Sequence, residues 1–539
     1  MKKSKISVWA YIPLAASLAL LVILNLFYHD QWLDSDMAAE MIFSKELSQT
    51  GHFFATPDWY YSTEFRFLYT HWIMGPLFHF LSDWHIIRMI TNLVSYALML
   101  GTYFFFMKPF KVKRELVAAS SALLLLPFSE TMMTHMVMGN TYMFHVIISF
   151  LFMGCYFRLT SVGKEKKGTA VVMVAYLVMS LICGVSGVRY LLALQCPLVL
   201  AGFIGVLKST EIEALREECT AENWKAKLKP LWRANSMKYF GYAILGLVGS
   251  VAGYGINLFH VCRHYIFQTY EVTNFIAVYQ GVLLERLQNC LGSLIMLFGY
   301  IPDKGMLSLR GLISIISFVL IAVFGYCSVR VQKTEKGQRG MLSLFFLTAL
   351  GLNLFVFVFS TSTMVPRYFL TLYIFLLPIL CFYQEKEPHF LDRAVVGLIL
   401  AACMVLATGK VTLSFVTVDK NAEKRPVAEF LAQNGYTFGY ATYWNANIIT
   451  ELTDGRVEVA NANVVNEASE TEEGLTLEFF RWSSPKRYYE GSREDGFFLL
   501  LTKQEYAEAA EKLLDGVTVY DDGKYVVLEY ENGKDIQFN

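Results

Sequence analysis

Runs of about 20 mostly apolar residues, separated by short polar stretches, recur along the first three quarters of the chain. Each is long enough to cross a bilayer core as a helix. The runs fall at 7–27, 85–106, 116–134, 142–160, 169–186, 189–207, 239–259, 308–329, 341–361, 367–383 and 394–416, predicting eleven spans. A twelfth apolar segment, 287–301, is read as a re-entrant or interfacial helix, because a full crossing there would place the later cation cluster on the opposite side from the earlier ones. Beyond residue 416 the pattern shortens. It predicts helices at 424–434 and 504–514 and strands at 437–444, 456–464 and 497–502. A hairpin at 517–530 follows, turning on Asp521-Asp522-Gly523-Lys524. The expected architecture is an α-helical polytopic membrane domain, 1–416, followed by a soluble α/β domain, 417–539.

Charge sharpens this division. The net charge of zero conceals a tail, 417–539, with 23 acidic and 12 basic side chains, and a body, 1–416, with 23 and 34. Cations crowd the loops at 108–114, 164–167, 208–238 and 330–339, and Lys2, Lys3 and Lys5 open the chain. The positive-inside rule makes these segments cytoplasmic. The loops 28–84, 135–141, 260–286 and 361–366, and the tail, are then extracytoplasmic. The first apolar run has no small-residue cleavage pattern and is read as an uncleaved span. Nine scattered cysteines, none in the tail, define neither a disulfide framework nor a zinc motif. The acidic tail has no phosphate loop or nucleophile elbow and argues against nucleic acid as a partner.

The loop 28–84 is rich in Trp and Tyr, and Asp36 to Gln49 has helical spacing, predicting an interfacial helix with Asp34, Asp36 and Glu40 at its start. Asp36-Met-Ala-Ala-Glu40, then Gly51, then Gly75-Pro76-Leu77-Phe78 and Arg88, resembles the first loop of the family 39 glycosyltransferases. Those are the protein O-mannosyltransferases and aminoarabinose transferases of the GT-C fold. Val365-Pro366-Arg367-Tyr368, followed by Leu370 and Pro378, is similar to the opening of a late helix of that family. The family pattern has a second acid where this chain has Met37, and Lys-Pro where it has Met74-Gly75. Glu40 or Glu64 is the candidate replacement for the acid, and Arg66 for the cation.

The resemblance implies sugar transfer from a polyprenyl-phosphate-linked donor to an extracytoplasmic acceptor. That chemistry needs a carboxylate to take or orient the acceptor proton and cations to hold the leaving phosphate. Asp36 is the candidate base, with Asp34 and Glu40 beside it. Asp34 also answers to an N-cap, and Asp36 to a first-turn acid favoured by the helix dipole. Glu64, Arg66, Arg189, Arg367, Tyr60 and Tyr61 are the candidate substrate contacts. An arginine fork suits phosphate, though an arginine near a span end also snorkels to lipid head groups. His71, His79, His85 and His135 match no ligand spacing, so no metal or other cofactor is implied. The implied partners are the lipid donor, membrane lipids and an acceptor of unstated class. A flippase of a lipid-linked glycan and a non-catalytic GT-C-like scaffold are the alternatives. The flippase is disfavoured because no internal repeat or charge deep in the spans is found.

Overall fold

The computed structural model describes residues 8–539 except 162–167, 210–211, 213–234, 269–272, 279–280, 303–304, 306, 465–474, 491–495, 510–512, 514–515, 532–536 and 539. Lys2, Lys3, Lys5, the 164–167 cations and most of those in 208–238 therefore lie outside the described residues.

Every predicted span falls on a helix. In order the helices are α1 Ile12–Phe27, α2 Ser35–Thr50, α3 His71–Leu77, α4 Trp84–Met107, α5 Arg114–Leu125, α6 Glu130–Met132, α7 Met143–Leu159, α8 Thr169–Val185, α9 Cys196–Leu207 and α10 Asn235–Ile256. They continue with α11 Leu283–Leu297, α12 Leu309–Thr334, α13 Gly337–Phe359, α14 Leu370–Lys386 and α15 Phe390–Thr417. Six of them, α4, α10 and α12 to α15, are long and apolar enough to cross a membrane unaided. The helices α1, α7 and α8, and the helix Leu191–Leu207 that contains α9, are shorter apolar segments. The protein is thus a multi-pass membrane protein.

The expected span 116–134 is not one straight helix. It stops at Leu125 and turns through 91° into Glu130–Met138. Pro127 is the cause, since it forces Leu126 into extended backbone, and Ser129 then caps the new segment by accepting from the Met132 amide at 3.2 Å. Helix α11 has 15 residues, roughly 22 Å, too short for a ~30 Å core. It lies against α13, where the Arg286 guanidinium donates to the Phe357 and Ser362 carbonyls.

The tail forms a seven-stranded mixed sheet, β10-β5-β4-β3-β7-β9-β8. Its strands β3 Phe438–Ala441, β4 Glu458–Val464 and β7 Phe497–Thr502 run parallel, and β8 Val517–Asp521 and β9 Tyr525–Tyr530 form the predicted hairpin. Strands β5 Thr476–Phe479 and β10 Gln537–Phe538 complete the far edge. Helix α16, Lys424–Gln433, leads in. The strand expected over 437–444 ends early, at Ala441. Residues Tyr443–Leu452 are instead a helix, α17, that covers α2. Periodicity could not separate a strand from this short buried helix, and packing on α2 decides it.

Three segments distant in sequence are zipped together by a small second sheet. Strand β1, Trp59–Tyr61 of the first loop, pairs in parallel with β2, Ile266–Phe267, and antiparallel with β6, Ser484–Pro485 of the tail. The tail and the first loop therefore sit on the same side of the helical body. The Lys420 amide donates to the Gln31 carbonyl at 2.9 Å, and Asn421 donates to the carbonyls of Asp30 and Leu33.

Candidate active site

A cavity of about 1590 Å³ opens where α2, the loop after β1, the turn before α9, the turn before α14 and the first turn of α17 converge. Helix α2 is fixed at both ends. Asp34 accepts from the Met37 amide at 2.9 Å as its N-cap, and Gly51 closes it in a left-handed conformation, φ +70°, where a side chain would be strained. This cap turns Asp34 away from the cavity and presents Asp36 and, one turn later, Glu40 to it. Burial, reinforced by the neighbouring Asp36 charge, pushes the Asp34 carboxyl up to about 6.

Asp36 is half-buried, and its Oδ1 accepts a hydrogen bond from the Tyr443 hydroxyl at 2.7 Å. Burial raises the Tyr443 phenol well above its ordinary range, so at neutral pH it stays a donor. No other protein group is hydrogen-bonded to the Asp36 carboxylate among the described residues, and Asp36 lines the cavity. Tyr443 is in turn held to α2 through its carbonyl, which accepts from the Ser35 hydroxyl.

Two further acids are already engaged. Glu40 is ion-paired with Arg66, whose guanidinium lies over the Tyr69 ring at 4.7 Å. Glu64 accepts from Arg189 Nε at 2.6 Å, while Arg189 Nη1 donates to the Tyr142 hydroxyl at 2.6 Å. The Arg189 guanidinium also lies 5.0 Å from the Tyr142 ring centre and 5.5 Å from that of Tyr368. Arg367 differs. It lines the same cavity from a 3-10 turn, Pro366–Phe369, and its side chain makes no hydrogen bond or ion pair among the described residues. An unneutralised guanidinium on a polar cavity is a ready anion site.

Asp36, Glu40, Glu64, Arg66, Arg189, Arg367 and Tyr61 thus share one cavity, although the sequence separates them by up to 331 residues. Asp34 and Tyr60 do not line it. Tyr60 packs instead on Tyr489 of the tail, 5.7 Å between ring centres, and the Tyr61 hydroxyl is occupied by both backbone groups of Thr56. Arg88, which the first-loop pattern singled out, is fully buried away from the cavity. It binds Glu451 of α17 through Nε at 2.7 Å and Nη2 at 2.6 Å, and Nη2 also donates to the Met37 carbonyl.

Several lining residues come from the tail and were not candidates in the sequence: Tyr443, Trp444, Asn445, Phe480 and Trp482. Trp444 is 61% exposed, unusual for a tryptophan on a folded domain. That exposure was invisible in the sequence, because the segment carrying it reads as a strand.

The crystal structure of ArnT from Cupriavidus metallidurans bound to undecaprenyl phosphate superposes with a TM-score of 0.50 at 13% identity, covering 97% of this chain and 98% of that one. The chain has the GT-C fold. The apo form of the same ArnT matches at a TM-score of 0.40 over 97% of both chains, again at 13% identity. The oligosaccharyltransferase from Archaeoglobus fulgidus, tethered with an acceptor peptide, matches at 0.47 and 11% identity over 98% of this chain and 74% of that one. No family model and no curated sequence matches the chain. The cavity is lined from both the helical body and the tail that carries the seven-stranded sheet.

Proposed function

We propose that this GT-C protein is an integral membrane glycosyltransferase that moves a sugar from a polyprenyl-phosphate donor to an acceptor hydroxyl outside the cytoplasm. The observation that carries the reading is the pairing, in one cavity, of a carboxylate with an open edge, Asp36, and a cation without a counterion, Arg367. The fold likeness to an ArnT crystallised with undecaprenyl phosphate supports the donor class.

In this mechanism Arg367 holds the donor phosphate, assisted by Arg189, whose charge is shared with Glu64. The acceptor oxygen attacks the anomeric carbon from the side opposite the phosphate. Its proton passes to Asp36, and the bond between the anomeric carbon and the phosphate oxygen breaks with its electron pair going to that oxygen. The new charge is met by guanidinium groups already in place, so little reorganisation is needed as it develops. The product has inverted configuration. Tyr443 keeps the Asp36 carboxylate aimed into the cavity, so the tail completes the site. The positive-inside reading of the cation-rich loops supports an extracytoplasmic cavity and tail.

The test is direct. Purified protein in detergent, mixed with undecaprenyl phosphate and examined by native mass spectrometry, should carry one lipid, and Arg367→Ala should lose it. Supplied with polyprenyl-phosphate sugars and a membrane extract as acceptor source, it should release free polyprenyl phosphate. Failure to bind undecaprenyl phosphate at all would overturn the donor assignment, and movement of intact donor between leaflets without release would make the protein a flippase.

A further inference from the structure

Where α1 ends, the chain makes a single 3-10 turn, His29–Trp32, before reaching Asp34. Its first two side chains meet His85, in the first turn of α4. Asp30 Oδ1 lies 3.1 Å from His29 Nδ1 and 3.1 Å from His85 Nδ1. The three ligand atoms all fall within 4.8 Å of one another.

We infer that His29, Asp30 and His85 form a zinc site that braces the start of the first loop against α4. With bonds of about 2.0–2.1 Å, tetrahedral zinc holds neighbouring ligand atoms roughly 3.3 Å apart. The carboxylate oxygen is therefore at nearly the required distance from both nitrogens, and a small rotation of the partly exposed His85 ring admits the ion. Two imidazole nitrogens with one carboxylate oxygen suit zinc, whereas magnesium and calcium demand many more oxygens. His29 is buried, which fixes its ring, while Asp30 and His85 are partly exposed, leaving an entry path and a fourth position for water.

The surroundings fit a structural ion. The Asp30 carbonyl accepts from Asn421 at 2.9 Å, so the same residue is tied to the beginning of the tail. Arg425 approaches the other carboxylate oxygen, Oδ2, only to 4.0 Å and pairs more closely with Asp419, at 3.2 Å, so Oδ1 is left to the two histidines. None of the three residues lines the large cavity, so the site is separate from the proposed chemistry. An ion here would fasten α1, α4 and the tail together four residues before the cap of α2, the helix that carries Asp36.

The experiment uses the full chain in detergent, stripped with a chelator and titrated with zinc chloride by calorimetry, with thermal unfolding followed in parallel. One equivalent should bind, the midpoint of unfolding should rise with zinc, and magnesium should do neither. His85→Ala, which removes a half-exposed ligand, should weaken zinc binding at least tenfold and abolish the thermal shift. Cobalt bound to the wild-type protein should give a spectrum of nitrogen and oxygen donors without thiolate bands. That reading needs no variant to fold, and it excludes the cysteines as ligands. No zinc-dependent shift in the wild type, undiminished zinc binding by a folded His85→Ala, or a thiolate spectrum would each overturn the site. Because none of these measurements reads sugar transfer, they stand or fall apart from the proposed glycosyltransferase activity.

Discussion

Two arginine regions of this molecule, lying on either side of α2, use the same side chain in opposite ways. Behind the helix, Arg88 is fully buried, forked onto Glu451 and bonded to the Met37 carbonyl, its charge consumed in joining α4, α2 and the tail. In front of it, Arg367 borders the cavity with no counterion among the described residues. A buried pair contributes little net stability but is costly to break, because the surviving partner is left as an uncompensated charge. An unpaired cation at a cavity wall is instead available to an anionic ligand. Sequence motifs treat Arg88 and Arg367 alike. Only their surroundings separate the one that braces from the one left open on the cavity wall.

The largest effect is expected in front of the helix. Asp36→Asn keeps the shape and the Tyr443 hydrogen bond but removes the proton acceptor, so sugar transfer should fall about 100-fold to 10,000-fold. Undecaprenyl phosphate binding and thermal stability should be unchanged. Wild-type turnover in this variant would leave Asp36 a mere first-turn acid and shift attention to Glu40→Gln.

Behind the helix the damage should be to folding. Arg88→Met strands Glu451 in the interior and should cost about 3–5 kcal/mol, read as a lower unfolding midpoint. Burial already pushes the Glu451 carboxyl above its ordinary range against the pull of Arg88, so without Arg88 it will take a proton more readily. The loss should therefore be smaller at pH 5 than at pH 8. An Arg88→Met protein as stable as wild type, with weakened donor binding, would reverse the contrast between the two arginines.

Arg367→Ala should weaken undecaprenyl phosphate roughly 10-fold to 100-fold, the worth of a charge-assisted hydrogen bond or two, and leave the unfolding midpoint in place. Arg367→Lys keeps the charge but not the fork and should fall between. Equal affinity across wild type, Lys and Ala would reduce Arg367 to a lipid-head-group anchor.

A smaller effect is expected at Tyr443. Replacing it with Phe removes the one hydrogen bond that aims Asp36, and turnover should drop several-fold with donor affinity retained. An unaltered rate would detach the tail from the chemistry.

The smallest effect is a pH dependence at Asp34. The folded chain holds the Asp34 proton up to about pH 6, whereas the unfolded chain releases it near the ordinary value of 3.8. Between those values the unfolded state binds fewer protons, so this residue makes stability fall as pH rises from about 4 to 6 and leaves it lower above. Asp34→Asn keeps a capping oxygen without the charge. Compared with wild type, it should gain a degree or two in midpoint at pH 8 and nothing at pH 4. A loss at pH 8 equal to that of Asp34→Ala would show that the cap needs the charged form.

Much of the body was legible because crossing a bilayer leaves few options. A helix must satisfy its own backbone in lipid, so about 20 apolar residues are nearly sufficient to identify a span. The cap at Asp34 and the stop at Gly51 were legible for a similar local reason. The end of the strand expected at 437–444 was not. The run of small and apolar residues there suits either element, and it becomes helical from Tyr443 only because that stretch must pack on α2.

By itself, then, the amino-acid sequence determined the span-and-loop plan, the basic body with its acidic sheet-forming tail, and the helix bearing Asp36. Each of those depends on interactions between near neighbours or on the apolarity of single segments. Only the tertiary structure decided that Arg66 and Arg189 are matched to Glu40 and Glu64 while Arg367 is left open. The same holds for the diversion of Arg88 to Glu451, for Tyr443 reaching Asp36, and for His29 and Asp30 meeting His85. Those outcomes depend on polar and charged groups brought together across 26 to 407 positions of chain, and Coulombic and hydrogen-bonding forces act over a few ångströms of space, whatever the separation in sequence.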